Sequence, residues 1–90
     1  MASKPRISVI IPVLNEQDGI QNVISDIPSD LITEIVVVDN GSTDQTARLA
    51  SQMGARVIRE ERKGYGSACL AGIAAVDNPN IVVFLDGDYS

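Results

Sequence analysis

Ninety residues, 44% of them apolar but only 3% aromatic, make at most one domain, whose core must be built from Ile, Val, Leu and Ala, as in buried parallel strands under small-residue helices. A net charge of −5 with no histidine argues against nucleic acid as a partner, since a phosphate backbone is held by clustered Lys and Arg; an anionic ligand would need a metal ion or backbone amides. The single Cys69 excludes an internal disulfide, reads as a buried structural thiol and fits a reducing cytoplasm. Met1 to Arg6 lacks the apolar core of a signal peptide, and no apolar run approaches the roughly 18 residues of a membrane span, so a soluble chain is expected.

Arg6 to Pro12 (RISVIIP) is a short, largely β-branched apolar run stopped by proline, which predicts a strand buried on both faces. Ile20, Val23, Ile24 and Ile27 then recur at i, i+3, i+4 and i+7, the stripe of an amphipathic helix that Pro28 closes. Glu34 to Val38 (EIVVV) predicts a second buried strand. Asn40-Gly41 marks a turn, and Ser42-Thr43-Asp44-Gln45 has the spacing of a capping box opening a second helix, with Thr46, Leu49, Ala50 and Met53 as its apolar stripe and Gly54 at its C-cap. Ala55 to Ile58 predicts a short strand at a sheet edge. Gly64-Tyr65-Gly66 leads into SACLAGIAAV, where Gly66, Cys69, Leu70, Ile73 and Ala74 share one helical face, and Asn78-Pro79 ends that helix. Ile81 to Leu85 (IVVFL) predicts a fourth buried strand running directly into Asp86-Gly87-Asp88. The order β-α-β-α-β-α-β, with crossovers long enough for right-handed parallel connections, predicts an α/β fold with a mostly parallel sheet. Ligands of such sheets bind beyond the carboxyl ends of the strands, where the strand order reverses.

Three polar groups stand at those ends. Asp86 and Asp88, one residue apart, can present oxygens to one hard cation, Mg2+ or Mn2+, whose remaining positions suit waters and substrate phosphates; Gly87 lets the backbone pass close to a ligand. The same three residues also make an ordinary Asp-Gly turn. Asp39 can accept hydrogen bonds from a base or ribose, or simply shape the turn into the second helix. Ser42 and Asp44 read as helix caps, and Asn40-Gly41 as structural. Pro12 to Glu16 (PVLNE) occupies the place of a G-x-G-x-x-G loop without its glycines. Glu16 and Asp18 there favour the helix start but repel a phosphate, so Glu16 reads either as a partner for ribose or base hydroxyls or as a plain helix N-terminal acid. Gly64-Tyr65-Gly66, after Arg59, Arg62 and Lys63, offers cations to a diphosphate only weakly, because such glycines usually serve the turn and such cations are usually solvated.

In this order and spacing, ISVIIPVLNE, EIVVVDNGSTDQT, RKGYGSACLAGI and IVVFLDGDYS resemble the opening of the family 2 glycosyltransferases, with the dolichyl-phosphate mannose synthase-like and related polyprenyl-phosphate glycosyltransferase branch closest, over Arg6 to Ser90. The resemblance implies a GT-A fold, three-layered with a Rossmann-like nucleotide-binding half, of which residues 1–90 are the N-terminal nucleotide-sugar-binding part. It implies a nucleotide-diphosphate sugar as donor, UDP- or GDP-linked, with Mg2+ or Mn2+ bridging the diphosphate. Carried over, Pro12, Leu14 and Glu16 line the nucleoside pocket, Val37 and Asp39 contact the base, Asp86 and Asp88 hold ribose, diphosphate and metal, and Gly87 allows backbone approach. The metal acts as a Lewis acid on the leaving nucleoside diphosphate while the acceptor, a polyprenyl phosphate in that branch, attacks with inversion.

Three departures stand out: Leu14 where the branch often has an aromatic, Asn40 in place of a second acid, and Ser90 where a glutamine metal ligand is common. Family members continue with acceptor-binding elements and an acid that deprotonates the acceptor. No catalytic base is therefore assigned. The 90-residue chain is expected to bind nucleotide weakly and transfer no sugar, a full-length parent to be open to membrane association, and the free edge of the fourth strand to invite self-association. Two other readings fit part of the pattern. One is a truncated nucleotide-binding module that binds without turnover. The other is a haloacid dehalogenase-like phosphatase, although that family carries D-x-D near its N-terminus, followed by Thr or Val.

Overall fold

The computed structural model describes residues 4–88; Ser90 lies outside the described residues. Strands β1 (Ile7–Val13), β2 (Glu34–Asp39), β3 (Arg56–Arg59) and β4 (Ile81–Phe84) alternate with helices α1 (Ile20–Ser25), α2 (Thr46–Gln52) and α3 (Tyr65–Ala75). The strands form one all-parallel sheet in the order β3-β2-β1-β4. The chain steps outward from β1 through β2 to β3, then returns through α3 to the far side of β1. The strand order therefore reverses between β1 and β4, and a crevice opens at their carboxyl ends.

Alternation along the strands fills two cores. Val9, Ile11, Val13 and Val37 face one side, against Ile20, Val23 and Ile24 of α1 and Ala50 of α2; Ile10, Val36 and Val38 face the other, under Ala68 of α3. With each buried Val or Ile contributing about 1.5–3 kcal/mol, three layers close without a core aromatic. No helix among the described residues is long and apolar enough to cross a membrane.

Several sequence expectations are corrected. Pro12 does not end β1: Val13 continues the strand in register with Asp39. Residues of even number in β1 bond toward β4, as Ile10 O does to the Leu85 N–H at 3.0 Å, and the β1–β4 ladder stops at Phe84. The N–H that Pro12 lacks would thus point where no strand needs it. On α3 the buried residues are Ala68 and Gly72, with Ala71 and Ala75 partly buried beside them, a stripe of small residues spaced i, i+3, i+4 and i+7. Leu70 and Ile73, expected on the inner face, are 69% and 50% exposed, and Cys69 is only partly buried. The reason is clearance: a Cβ on Gly72 would collide with Ile10 Cγ2 and stand 3.3 Å from Val38 Cγ2, so only the smallest side chains let α3 lie on the sheet.

IVVFL is not buried on both faces. β4 is an edge strand with Ile81, Val82 and Phe84 exposed, because α3 packs over β1 and β2 instead; only Val83 and Leu85 reach the core. β3 takes the opposite edge, as the sequence predicts. Met53 is exposed rather than part of the α2 stripe.

Candidate functional site

The loops after β1 and β2 are joined by side chains bonding to backbone. Asn15 adopts a left-handed φ of 54°, tolerable for asparagine. Its N–H donates to Ser42 Oγ at 2.9 Å and its Oδ1 accepts the Thr43 N–H at 2.9 Å. The Glu16 N–H donates to Thr46 Oγ1 at 2.8 Å, while the Thr46 hydroxyl donates to Asp44 Oδ1, which also accepts the Thr46 N–H at 2.9 Å. The expected capping box is therefore absent. Ser42 serves the neighbouring loop, Gln45 occupies the N-cap without a side-chain capping bond, and Asp44 holds the helix start. The Thr46 hydroxyl is the main cause that keeps the Asp44 carboxyl below its ordinary pKa.

Asp39 is buried, and its Oδ1 accepts the Gly41 and Ser42 N–H groups at 3.2 and 2.8 Å, so it does shape the turn. Asn40 reaches the other way. Its Nδ2 donates to the Glu60 and Arg62 carbonyls at 3.0 and 2.7 Å, and its Oδ1 accepts the Gly64 N–H at 2.9 Å. An aspartate has no hydrogens for those carbonyls, which explains why asparagine stands here. Through Asn40 the loop leading into α3 is fastened to the tip of β2.

At the end of β4, Gly87 is buried while Asp86 and Asp88 are exposed. A Cβ on Gly87 would stand 2.7 Å from Val13 Cγ1 and 3.3 Å from Pro12 O, so the turn lies directly on the tip of β1 and any larger residue would lift it off. The Asp88 N–H donates to Asp86 Oδ1 at 3.1 Å. This packing brings both carboxylates beside Glu16, whose pKa is raised, first by burial and then by Asp88, Asp86 and Asp44. The described ion pairs, Arg6 with Asp77, Arg56 with Glu34 and Arg59 with Glu61, all lie outside this group. No described ion pair involves these acids, and added positive charge would favour their ionised forms.

Among the described residues no three His, Cys, Asp or Glu side chains close around a metal position. Asp86 and Asp88 supply two hard oxygen donors at an open edge. That fits Mg2+ or Mn2+, which keep waters and take phosphate oxygens to complete their coordination.

A cavity of about 400 Å3 adjoins the acids, lined by Pro12, Leu14 and Glu16 after β1, Asp86 after β4, and Lys63 and Tyr65 at the start of α3. A second, apolar cavity of about 490 Å3 lies on the α1 side of the sheet, with Asp86 and Asp88 at its rim. Of the residues singled out in the sequence, Pro12, Leu14, Glu16 and Asp86 share one cavity with Gly87 and Asp88 beside it, whereas Asp39 is buried in the turn after β2 outside both cavities and Val37 is fully buried in the α1-side core. Sequence reasoning undervalued Tyr65 and Lys63, and it missed Thr46 and Asn15 as the ties between loops. The signal that could have found the ties was polar residues recurring at successive strand ends.

The family model described as Glycosyl transferase family 2 matches residues 8–90. An uncharacterized glycosyltransferase of Mycobacterium tuberculosis is 44% identical over 84 residues, 93% of this chain and 37% of that protein. A dolichyl-phosphate hexose transferase of Haloferax volcanii is 43% identical over 84 residues, 91% of this chain and 36% of that protein. The crystal structure of glucosyl-3-phosphoglycerate synthase from Mycobacterium tuberculosis in complex with Mn2+, UDP-glucose and phosphoglyceric acid superposes with a TM-score of 0.86 at 40% identity, covering 93% of this chain and 34% of that one; the same synthase has been crystallised with Mg2+ and UDP. The chain thus spans about a third of the length of the proteins it matches.

Proposed function

Because the chain belongs to glycosyl transferase family 2, we propose that the crevice at the carboxyl ends of β1 and β4 receives a nucleotide-diphosphate sugar, UDP- or GDP-linked, with Mg2+ or Mn2+ held by Asp86 and Asp88. One arrangement carries the reading: Gly87, packed on Val13 and Pro12, gathers two exposed carboxylates and Glu16 at the point where the strand order reverses. The metal, when bound, supplies Lewis-acid stabilisation of the departing nucleoside diphosphate.

The chain's own residues do the rest of the donor side. Pro12 and Leu14 give the nucleoside an apolar wall. Glu16 accepts from sugar hydroxyls, and its raised pKa fits a carboxylate waiting for a donor or a nearby cation. Asp39, held by two amides, turns its remaining acceptor capacity to the base, and Val37 supports it from the core. Residues 1–90 are then the nucleotide-sugar-binding part of a larger GT-A domain. The whole protein transfers a hexose, with inversion, to an acceptor such as a polyprenyl phosphate, in the cytoplasm. We assign no catalytic base within these residues and infer that the chain alone binds donor without turnover. The unpaired edge of β4 is where copies would associate, which concentration-dependent sedimentation would reveal.

The test is calorimetric titration of UDP into the chain with and without Mn2+, repeated for Asp86→Asn/Asp88→Asn. Binding should depend on Mn2+ and weaken by about 100-fold or more in the double variant, beyond the loss typical of an outer-shell change. UDP binding indifferent to both would defeat the reading. Sugar transfer from a UDP- or GDP-sugar by the 90 residues alone would refute the division of labour.

A further inference from the structure

A nucleobase offers a flat, polarizable face, and the chain has three aromatic side chains, Tyr65, Phe84 and Tyr89. Phe84 belongs to the β4 edge strand, whereas Tyr65 lines the cavity that also holds Leu14, Glu16 and Asp86. Tyr65 is the first residue of α3 and is 67% exposed. Gly64 and Gly66 flank it, so neither sequence neighbour carries a side chain that could cover the ring. Its backbone is nonetheless fixed. The preceding Gly64 N–H donates to Asn40 Oδ1, and Asn40 also ties the Glu60 and Arg62 carbonyls to the tip of β2. An exposed ring lining the cavity, on a backbone fastened next to it, presents a face on which a flat ligand can stack. In the lining of the same cavity Leu14, 48% exposed, presents an aliphatic side chain rather than a ring.

We infer that Tyr65 is the nucleobase platform of this site: the base of the donor stacks on its ring, with Leu14 supplying further apolar surface in the same cavity. The inference rests on the reading of the crevice as a nucleoside-diphosphate site and adds the residue that holds the base. Stacking uses the ring face and not the hydroxyl, so the two parts of the side chain can be separated by substitution.

The experiment compares the chain with Tyr65→Phe and Tyr65→Ala by calorimetry in the presence of Mn2+, using UDP and, as a probe without a base, inorganic pyrophosphate. Circular dichroism should show all three equally folded, because Tyr65 is exposed. Tyr65→Ala should bind UDP about 5- to 150-fold more weakly, the range of one base–aromatic stack; Tyr65→Phe should match the parent, and pyrophosphate should bind all three alike. Unchanged UDP affinity in Tyr65→Ala overturns the inference. So does an equal loss for pyrophosphate, which marks a structural role, or a Tyr65→Phe loss as large as that of alanine, which assigns the effect to the hydroxyl. Failure of the parent chain to bind Mn2+ and pyrophosphate at all would instead sink the underlying reading of the crevice.

Discussion

The two ends of the sheet treat their acids in opposite ways. At the amino ends, Glu34 Oε2 accepts the Ser8 hydroxyl at 2.8 Å and the Asp77 N–H at 2.7 Å, and Arg56 stands 3.4 Å from Oε1. Burial alone would raise this carboxyl's pKa, but the Asp77 amide, the Ser8 hydroxyl, Arg56 and Arg6 together bring it below the ordinary value. At the carboxyl ends, Glu16 is pushed the other way by burial and by Asp88, Asp86 and Asp44. One glutamate is answered by the fold and the other is left waiting. The amino ends hold β2, β3 and the loop before β4 together; the carboxyl ends leave Glu16 among other acids, the arrangement on which the proposed cation site rests.

The strongest way to upset this contrast is to add an acid to the end that already has too many. Asn40→Asp removes both donors from the Glu60 and Arg62 carbonyls and sets a buried charge against them. A loss of about 3 kcal/mol is expected, read from the midpoint of urea unfolding at neutral pH. Next comes the amino end. Glu34→Gln should cost about 1–2 kcal/mol at neutral pH, by weakening two charge-assisted bonds and an ion pair. Because the folded pKa of Glu34 is depressed, its stabilisation is fully present above the unfolded value and is lost as pH falls through the folded one. The difference between parent and variant should therefore shrink on acidification, and urea curves collected from pH 7 down to pH 3 would check it.

The smallest effect belongs to the unanswered acid. Glu16→Gln should stabilise the metal-free chain by a few tenths of a kcal/mol at neutral pH, about the scale of exposed charge pairs. The sign is reversed relative to Glu34. With its folded pKa raised, Glu16 favours the fold most below the unfolded value and loses that advantage as pH rises through the folded one. The gain from glutamine should fade at low pH, and saturating Mn2+ should abolish it at pH 7. A variant less stable than its parent under metal-free conditions would mean that Glu16 is not strained by Asp86 and Asp88.

Much of this was legible along the chain. Runs such as SVII, IVVV and IVVF declared strands, and the stripe Ile20, Val23, Ile24 declared α1, because burial of β-branched and periodic residues is a local property of sequence. A mostly parallel sheet follows from connection lengths, the structure making it all-parallel, and the acids at the strand ends are visible as the places where apolar runs stop. The errors have a common form. Size and apolarity point Leu70 and Ile73 inward, yet the surface formed by Ile10 and Val38 has room only for Ala68 and Gly72. IVVFL looked buried on both faces because nothing in its composition records that α3 lies over β1 and β2 and leaves β4 uncovered.

The order of elements, the aliphatic core and the presence of carboxylates at the strand tips are written in residue type and spacing, which act over a few positions. The convergence of Glu16, Asp86 and Asp88 is not, since Glu16 and Asp86 stand far apart in the chain and meet only because Gly87 can lie on Val13. The same holds for the clamp of Asn40 on the loop before α3 and for Tyr65 at the rim of the cavity. Long-range clearance and hydrogen-bond geometry belong to pairs of distant residues, and no local pattern carries them.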